Sequence, residues 1–247
     1  MRYIIADVGD KKKEAFRLDE LSSFYESEDG LLDTNITTDY SSRVIKKYLK
    51  GKKIVLMGIG DGYLIKGLSE ICENLTVVEG SKELAKIYSE KINNCKIINS
   101  LFEEYNPVEK FDTLIGSHIL EHVDNPVLVL NKVKNWIHKE SLAIFAVPNA
   151  GSLHRKIGVA MGLLKKTTDL NEQDHKLGHR RVYTIDMFKE HLSSAGFKIQ
   201  KMQGYMIKVV SNKQMQGWNK EFLDACYSVS LELPPEICVN IAAICTV

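Results

Sequence analysis

From Lys53 onward the chain alternates short runs of β-branched and aliphatic residues with amphipathic segments, and this rhythm constrains its fold more than any other feature. KIVLMG, LTVVEG, KIINS, FDTLIGSH and SLAIFAVP read as strands. Between them GYLIKGLSEICE, SKELAKIYSEKI and NPVLVLNKVKNWIHK read as helices, the last entered through Pro126, which suits a first helical turn. Strand–helix–strand units of this kind imply an α/β fold, with a parallel sheet covered by helices on both faces. FKIQKMQGYMIKVV and EICVNIAAICTV, separated by a helix near residues 219–229, are expected to close the sheet as an antiparallel pair, giving seven strands.

The rhythm stops between Pro148 and Val182, where a polar insertion rich in His and Arg precedes a helix, TIDMFKEHLSSAG, that ends on Gly196. The insertion (148–183) follows a strand's carboxyl end, the edge where open α/β sheets bind ligands, so it is placed to cover a pocket. Residues 1–40 form the least regular part, an N-terminal extension in which Glu26 to Gly30 reads as a solvated turn. One domain spanning 1–247 is the simplest organisation for 247 residues.

Lys and Arg total 33 against 32 for Asp and Glu, so no general positive field favours nucleic acid. The apolar start is too short for a secretory leader, and no run approaches a membrane span. The expectation is a cytoplasmic protein acting on a small molecule, its oligomeric state not legible. Five cysteines without C-x-x-C spacing read as buried free thiols.

Gly58, Gly60 and Gly62 follow the first strand and lead into a helix, where glycine lets a ligand approach backbone N–H groups. Glu79 ends the second strand, 19 residues beyond Gly60, where a carboxylate accepts hydrogen bonds from both hydroxyls of a ribose. Together they specify an adenosine-type ligand. Tyr63 stands where a dinucleotide fingerprint needs its third glycine, which disfavours a nicotinamide cofactor. The stretch SHILEHVDNP carries H-x-x-E-H, a spacing that some zinc peptidases use on a helix. His118 directly follows a strand, however, and Pro126 closes in soon after His122, leaving little room for such a helix. The expectation is no metal.

IVLMGIGDG, LTVVEGS, FDTLIGSHILEHVDNP and LAIFAVPNAGSLHR, in this order, resemble the successive motifs of class I S-adenosylmethionine-dependent methyltransferases over about residues 40–210. The resemblance implies a Rossmann-like fold, with Gly58, Gly60 and Gly62 beside the methionine part of the cofactor and Glu79 on its ribose. Ser100, Leu101 and Phe102 would flank the adenine, and Ser117 and His118 would lie near the sulfonium. The family usually has an acid near the position of Ser100. It also has an acid at the position of Leu56 that orients the methionyl ammonium, a task that Asp61 or another acid would take over here.

A hydroxyl acceptor must lose a proton, and His118, then His122, are the candidate bases. Asn149, His154, Arg155, His179, Arg180, Arg181 and Tyr183 in the insertion are the candidate substrate residues, and such a set suits phosphate or carboxylate. His138, in a Lys-rich helix end, and His191 read as structural. PNAGSLHR and GHRRVY resemble stretches of bacterial methyltransferases of sugar, lipid-intermediate and cell-surface glycan pathways. The resulting expectation is methyl transfer to O or N of a small polar, anionic metabolite, such as a capsule or other polysaccharide precursor or a phosphorus-containing one. The alternatives are a non-catalytic cofactor-binding scaffold, which the departure at Leu56 motivates, a zinc hydrolase through HILEH, and a nicotinamide oxidoreductase.

Overall fold

The structure is a computed structural model that describes residues 8–22 and 38–247; the turn expected at Glu26–Gly30 lies outside them. Helices α1 (Val8–Ser22) and α2 (Asp39–Lys47) precede β1 (Lys53–Met57), α3 (Tyr63–Ser69), β2 (Asn74–Glu79), α4 (Lys82–Lys91), β3 (Lys96–Asn99) and β4 (Phe111–Ser117). Then follow α5 (Pro126–Val133), β5 (Ile137–Pro148), α6 (Leu153–Ala160), α7 (Glu172–Lys176), α8 (Ile185–Ser194), β6 (Lys198–Tyr205), α9 (Lys220–Ser230) and β7 (Asn240–Thr246). Helix starts are written into the sequence: the side chains of Ser81, Asn125, Thr184 and Asn219 accept from Leu84, Leu128, Met187 and Phe222 N–H groups at 2.8–3.2 Å.

The sheet has seven strands in the order β3-β2-β1-β4-β5-β7-β6. Only β7 runs against its neighbours, pairing antiparallel with both β5 and β6. This is the expected Rossmann-like α/β architecture, with the reversal confined to one strand. Both faces are buried in the centre of the sheet, as a parallel sheet under two helical layers requires, while the edge strands β3 and β6 are more exposed. In β1, Val55 and Met57 join the cluster formed with Val129, Leu130 and Phe188, while Ile54 and Leu56 join Ile65 and Leu68 on the other face. Each such aliphatic side chain contributes about 1.5–3 kcal/mol on burial.

The expected helix through Lys139 ends earlier. α5 stops at Val133, a 3-10 turn covers Lys134–Trp136, and Ile137 already pairs with Phe111. Trp136 is buried and its indole N–H donates to the Tyr105 carbonyl at 3.2 Å, which pulls the chain from helix into strand. His138 is therefore a strand residue, 3.2 Å from Asp112 and 3.1 Å from Glu140, not a helix-end cation. The described part of the N-terminal extension is more regular than its composition indicates, with residues 8–22 forming α1. α1 lies against α4, with Asp19 accepting from the Ser81 hydroxyl at 2.6 Å. Among the described residues, no helix is long and apolar enough to cross a membrane, and all five cysteines are free.

Candidate active site

β1 and β4 are neighbours whose connections leave in opposite directions, and the crevice at their carboxyl ends is where an open α/β sheet takes its ligand. A cavity of about 1040 Å³ opens there. Its walls come from the turn after β1, the end of β2, the loops after β3 and β4, the insertion and α1.

Glu79 is 6% exposed and its two oxygens accept from the backbone: Oε2 from Ile59 N at 2.8 Å, Oε1 from Ser81 N at 2.7 Å. Burial pushes its carboxyl above the usual range, although the Ser81, Ile59 and Gly80 N–H groups pull the other way. These bonds lock the carboxylate beside the glycine turn. Each oxygen keeps a further lone pair for a ligand hydroxyl.

Gly58, Gly60 and Gly62 all adopt positive φ, at 75°, 59° and 79°. Gly58 and Gly60 line the cavity, and a Cβ on Gly60 would meet nothing within 4 Å. Gly62 is off the wall; it caps α3 in a left-handed conformation with Tyr88 packed where a side chain would go. Gly60→Ala is accordingly expected to cost only about 1–2 kcal/mol of folding stability through backbone strain. It places a methyl in the ligand's space, so S-adenosylhomocysteine affinity by calorimetry should fall at least about tenfold, a loss of about 1.4 kcal/mol.

Leu101 and Phe102 are on the wall, whereas Ser100 is not: its N–H donates to the Glu79 carbonyl at 2.9 Å and its hydroxyl to the Leu101 carbonyl at 3.0 Å. Ser117 lines the cavity, as does Leu56. Asp61 is also on the wall, accepting from the Thr38 hydroxyl at 2.7 Å and Tyr63 N at 2.9 Å.

HILEH is a turn, not a helix. His118 sits at φ 54°, an uncommon conformation for a side-chain-bearing residue, and its N–H donates to the Ala146 carbonyl at 2.8 Å. Its Nδ1 is 3.2 Å from Glu121 Oε1, and its Nε2 is 3.2 Å from the Tyr205 hydroxyl and 3.3 Å from Ser41 Oγ. A proton on Nδ1 satisfies Glu121 and leaves Nε2 as the basic nitrogen. Burial works against the Glu121 charge, but the His118 contact and the fields of His118, His122 and His179 hold its carboxyl below the usual range. His122 lines the cavity, and burial pushes its imidazole down to about 3. It is therefore neutral near pH 7.

A turn of this kind leaves carbonyls without helical partners, and arginines supply them. Arg180 Nε and Arg17 NH2 donate to the His122 carbonyl at 2.9 and 3.3 Å. Arg181 donates to the carbonyls of Leu120, Val123 and Asp124 at 2.8, 2.5 and 2.9 Å. The buried Tyr183 hydroxyl faces the Leu120 carbonyl at 3.3 Å and His191 Nδ1 at 3.1 Å. Arg181 and Tyr183 thus brace the loop from behind instead of facing the cavity.

The other insertion candidates do reach the wall. Asn149 is nevertheless fastened by its amide to the carbonyls of Pro235, Glu236 and Cys238 at 2.9–3.2 Å. Arg155, 5% exposed, is held by Asp174 at 3.2 Å and by the Thr167 and Asp169 carbonyls. Arg180 pairs with Glu14 at 3.0 Å and Asp124 at 3.4 Å. His179 Nδ1 is 2.9 Å from Asp174 Oδ1. His154 is pushed down to about 3 by burial and by Lys208 and Arg155; its Nδ1 is buried without a partner among the described residues. Wall residues that the sequence reading did not single out include Arg17, Glu103, Lys208 and Asn212. None stands in a motif, and only the fold brings them together.

Comparison with known proteins bears on what this site handles. Residues 36–202 match the family described as a methyltransferase domain. The chain belongs to this family. The methyltransferase is 27% identical over 120 residues to the ubiquinone biosynthesis O-methyltransferase of Pelagibacter ubique, a match covering 47% of this chain and 50% of that protein. The chain therefore matches about half the length of this curated relative. Among solved structures, it is similar to an S-adenosylmethionine-dependent methyltransferase from Thermotoga maritima, with a TM-score of 0.63, 15% identity, and coverage of 93% of this chain and 99% of that one. It is also similar to the plantazolicin methyltransferase BamL, solved with a triazolic desmethylPZN analog and S-adenosylhomocysteine: TM-score 0.56, 14% identity, coverage 96% and 98%. The family is that of a methyltransferase domain, and the fold is the one these S-adenosylmethionine-dependent structures share.

Proposed function

We propose that the protein methylates an oxygen, or a nitrogen, of a small polar metabolite held between the His118 loop and the insertion. The juxtaposition of Glu79 with the open glycine turn carries this reading, because it supplies a ribose clamp and a backbone approach on one wall. The cavity, at about 1040 Å³, is large enough for cofactor and acceptor together. When bound, S-adenosylmethionine supplies an electrophilic methyl on a sulfonium. Glu79 would hold the ribose hydroxyls, Leu101 and Phe102 would cover the adenine, and Asp61 would take the methionyl ammonium in place of an acid at Leu56.

The acceptor end is formed by His118, His154 and Lys208. His118 Nε2, oriented through Nδ1 by Glu121, is the group proposed to receive the acceptor's proton. An anionic acceptor, such as a glycan or phosphorus-containing precursor, suits Lys208 on the wall. The O-methyltransferase relative favours oxygen over nitrogen as the atom methylated.

Labelled cofactor incubated with nucleotide-sugar and metabolite pools, followed by mass spectrometry, tests the reading; no labelled product from any pool would defeat it. His118→Ala is expected to slow turnover about 10²–10⁴-fold with S-adenosylhomocysteine affinity changed less than about threefold. Unchanged turnover would remove His118 from the role.

A further inference from the structure

Beside the methyl-transfer machinery lies a group of side chains that this function uses only in part, since it calls on Glu121 for its Oε1 contact with His118 alone. Glu121 is fully buried, and while Oε1 meets His118, Oε2 has no partner among the described residues. A carboxylate oxygen buried without a donor is costly. Around it stand His122 and His179, with donor atoms of all three residues within 4.8 Å of one another. The imidazoles of His122 and His179 are stacked edge to face, 4.7 Å between centroids.

The second coordination layer is already in place. Asp174 Oδ1 lies 2.9 Å from His179 Nδ1, a contact that holds the ring with its Nε2 edge turned away from Asp174. Asp174 is itself held by Arg155 at 3.2 Å and by Asn171 N at 2.9 Å. The backbone of the Glu121–His122 turn is pinned by Arg180, whose N–H donates to the Glu121 carbonyl at 2.8 Å. His179 is delivered by a helix stop. α7 ends at Lys176, Gly178 turns the chain at φ 71°, and His179 N closes back on the Asp174 carbonyl at 2.9 Å.

We propose that Glu121, His122 and His179 form a binding site for a first-row divalent cation, zinc foremost, with its remaining coordination positions open to the cavity. Two imidazoles and one carboxylate are one of the donor sets of catalytic zinc sites, and of open sites for related first-row metals. Bonds of about 2.0–2.2 Å would draw the donors, now within 4.8 Å of one another, to roughly 3.4 Å apart. Both imidazoles belong to the cavity wall, so the open side faces the ligand space. The sequence expectation of no metal rested on the poor helix at HILEH; the third donor arrives from the insertion, and His118 is not among the three.

The test is equilibrium dialysis of metal-free protein against zinc, with stoichiometry by elemental analysis and cobalt(II) absorption as a second probe. One zinc per chain is expected, with His122→Ala and His179→Ala each weakening it more than about 100-fold and His175→Ala leaving it unchanged. S-adenosylhomocysteine binding and the thermal midpoint report separately on the cofactor site and the fold. X-ray absorption of the zinc-loaded wild type needs no variant to fold: nitrogen and oxygen neighbours near 2.0–2.1 Å support the site, and a sulfur shell near 2.3 Å places the ion on cysteine and overturns it. No zinc retained by the wild type, or wild-type affinity in either histidine variant, would also overturn it.

Discussion

Glu79→Ala is expected to weaken S-adenosylhomocysteine binding by roughly two to four orders of magnitude. A carboxylate hydrogen bond is worth about 1.5–3 kcal/mol, and a ribose offers two hydroxyls to this one group. The side chain also fixes the turn. Without it the N–H groups of Ile59 and Ser81 lose their acceptors, and Ile59 stands between Gly58 and Gly60 on the wall. Glu79→Gln separates the two contributions. One amide oxygen still accepts, but the amide nitrogen then faces the other backbone N–H, donor against donor, so Gln is no benign isostere here. The order expected is wild type, then Gln, then Ala, measured by calorimetry with the thermal midpoint followed in parallel. Ala binding within threefold of wild type would mean that Glu79 braces the turn and no ribose rests on it.

Why this much was legible follows from where the information lies. Strands β1, β2 and β4 and the second half of β5 are buried and largely apolar because helices cover both faces there, so their runs stand out against the polar loops. The glycine turn and Glu79 are close in sequence and in space, joined by one strand–helix–strand unit. By contrast, His179 meets His122 across a gap that no local pattern spans, and Arg17 enters the site from a helix whose polar sequence shows no core-facing stripe. An arginine looks the same in sequence whether it awaits an anion or satisfies a turn's carbonyls. Arg181 does the second, and the three carbonyls it serves belong to a loop that periodicity could not describe. The overrun of α5 has a similar cause: Val133, Trp136 and Ile137 continue a helical apolar spacing, and only the pairing of Ile137 with Phe111 ends it.

The insertion depends on one buried ion pair, and breaking it should have the largest effect on stability. Arg155 reaches Asp174 at 3.2 Å, with both side chains under a tenth exposed, and also ties down the carbonyls of Thr167 and Asp169. Burial raises the Asp174 carboxyl, but His179, Asn171 N–H and Arg155 outweigh that and bring it down to about 2, so it is charged at neutral pH. Arg155→Met keeps the aliphatic bulk and leaves that charge poorly compensated. Removing one member of a buried pair costs about 3–5 kcal/mol, or roughly 6–20 °C in thermal midpoint for a chain of this size. Where the loss is local instead of global, it will appear as faster proteolysis within the insertion. The double variant Arg155→Met with Asp174→Leu removes both charges and should recover much of the stability, because an apolar pair of similar volume avoids the desolvation cost of two ions. A double variant no more stable than Arg155→Met would show that the other contacts of the two side chains, from Arg155 to the carbonyls and from Asp174 to His179 and Asn171 N–H, hold the insertion over the cavity.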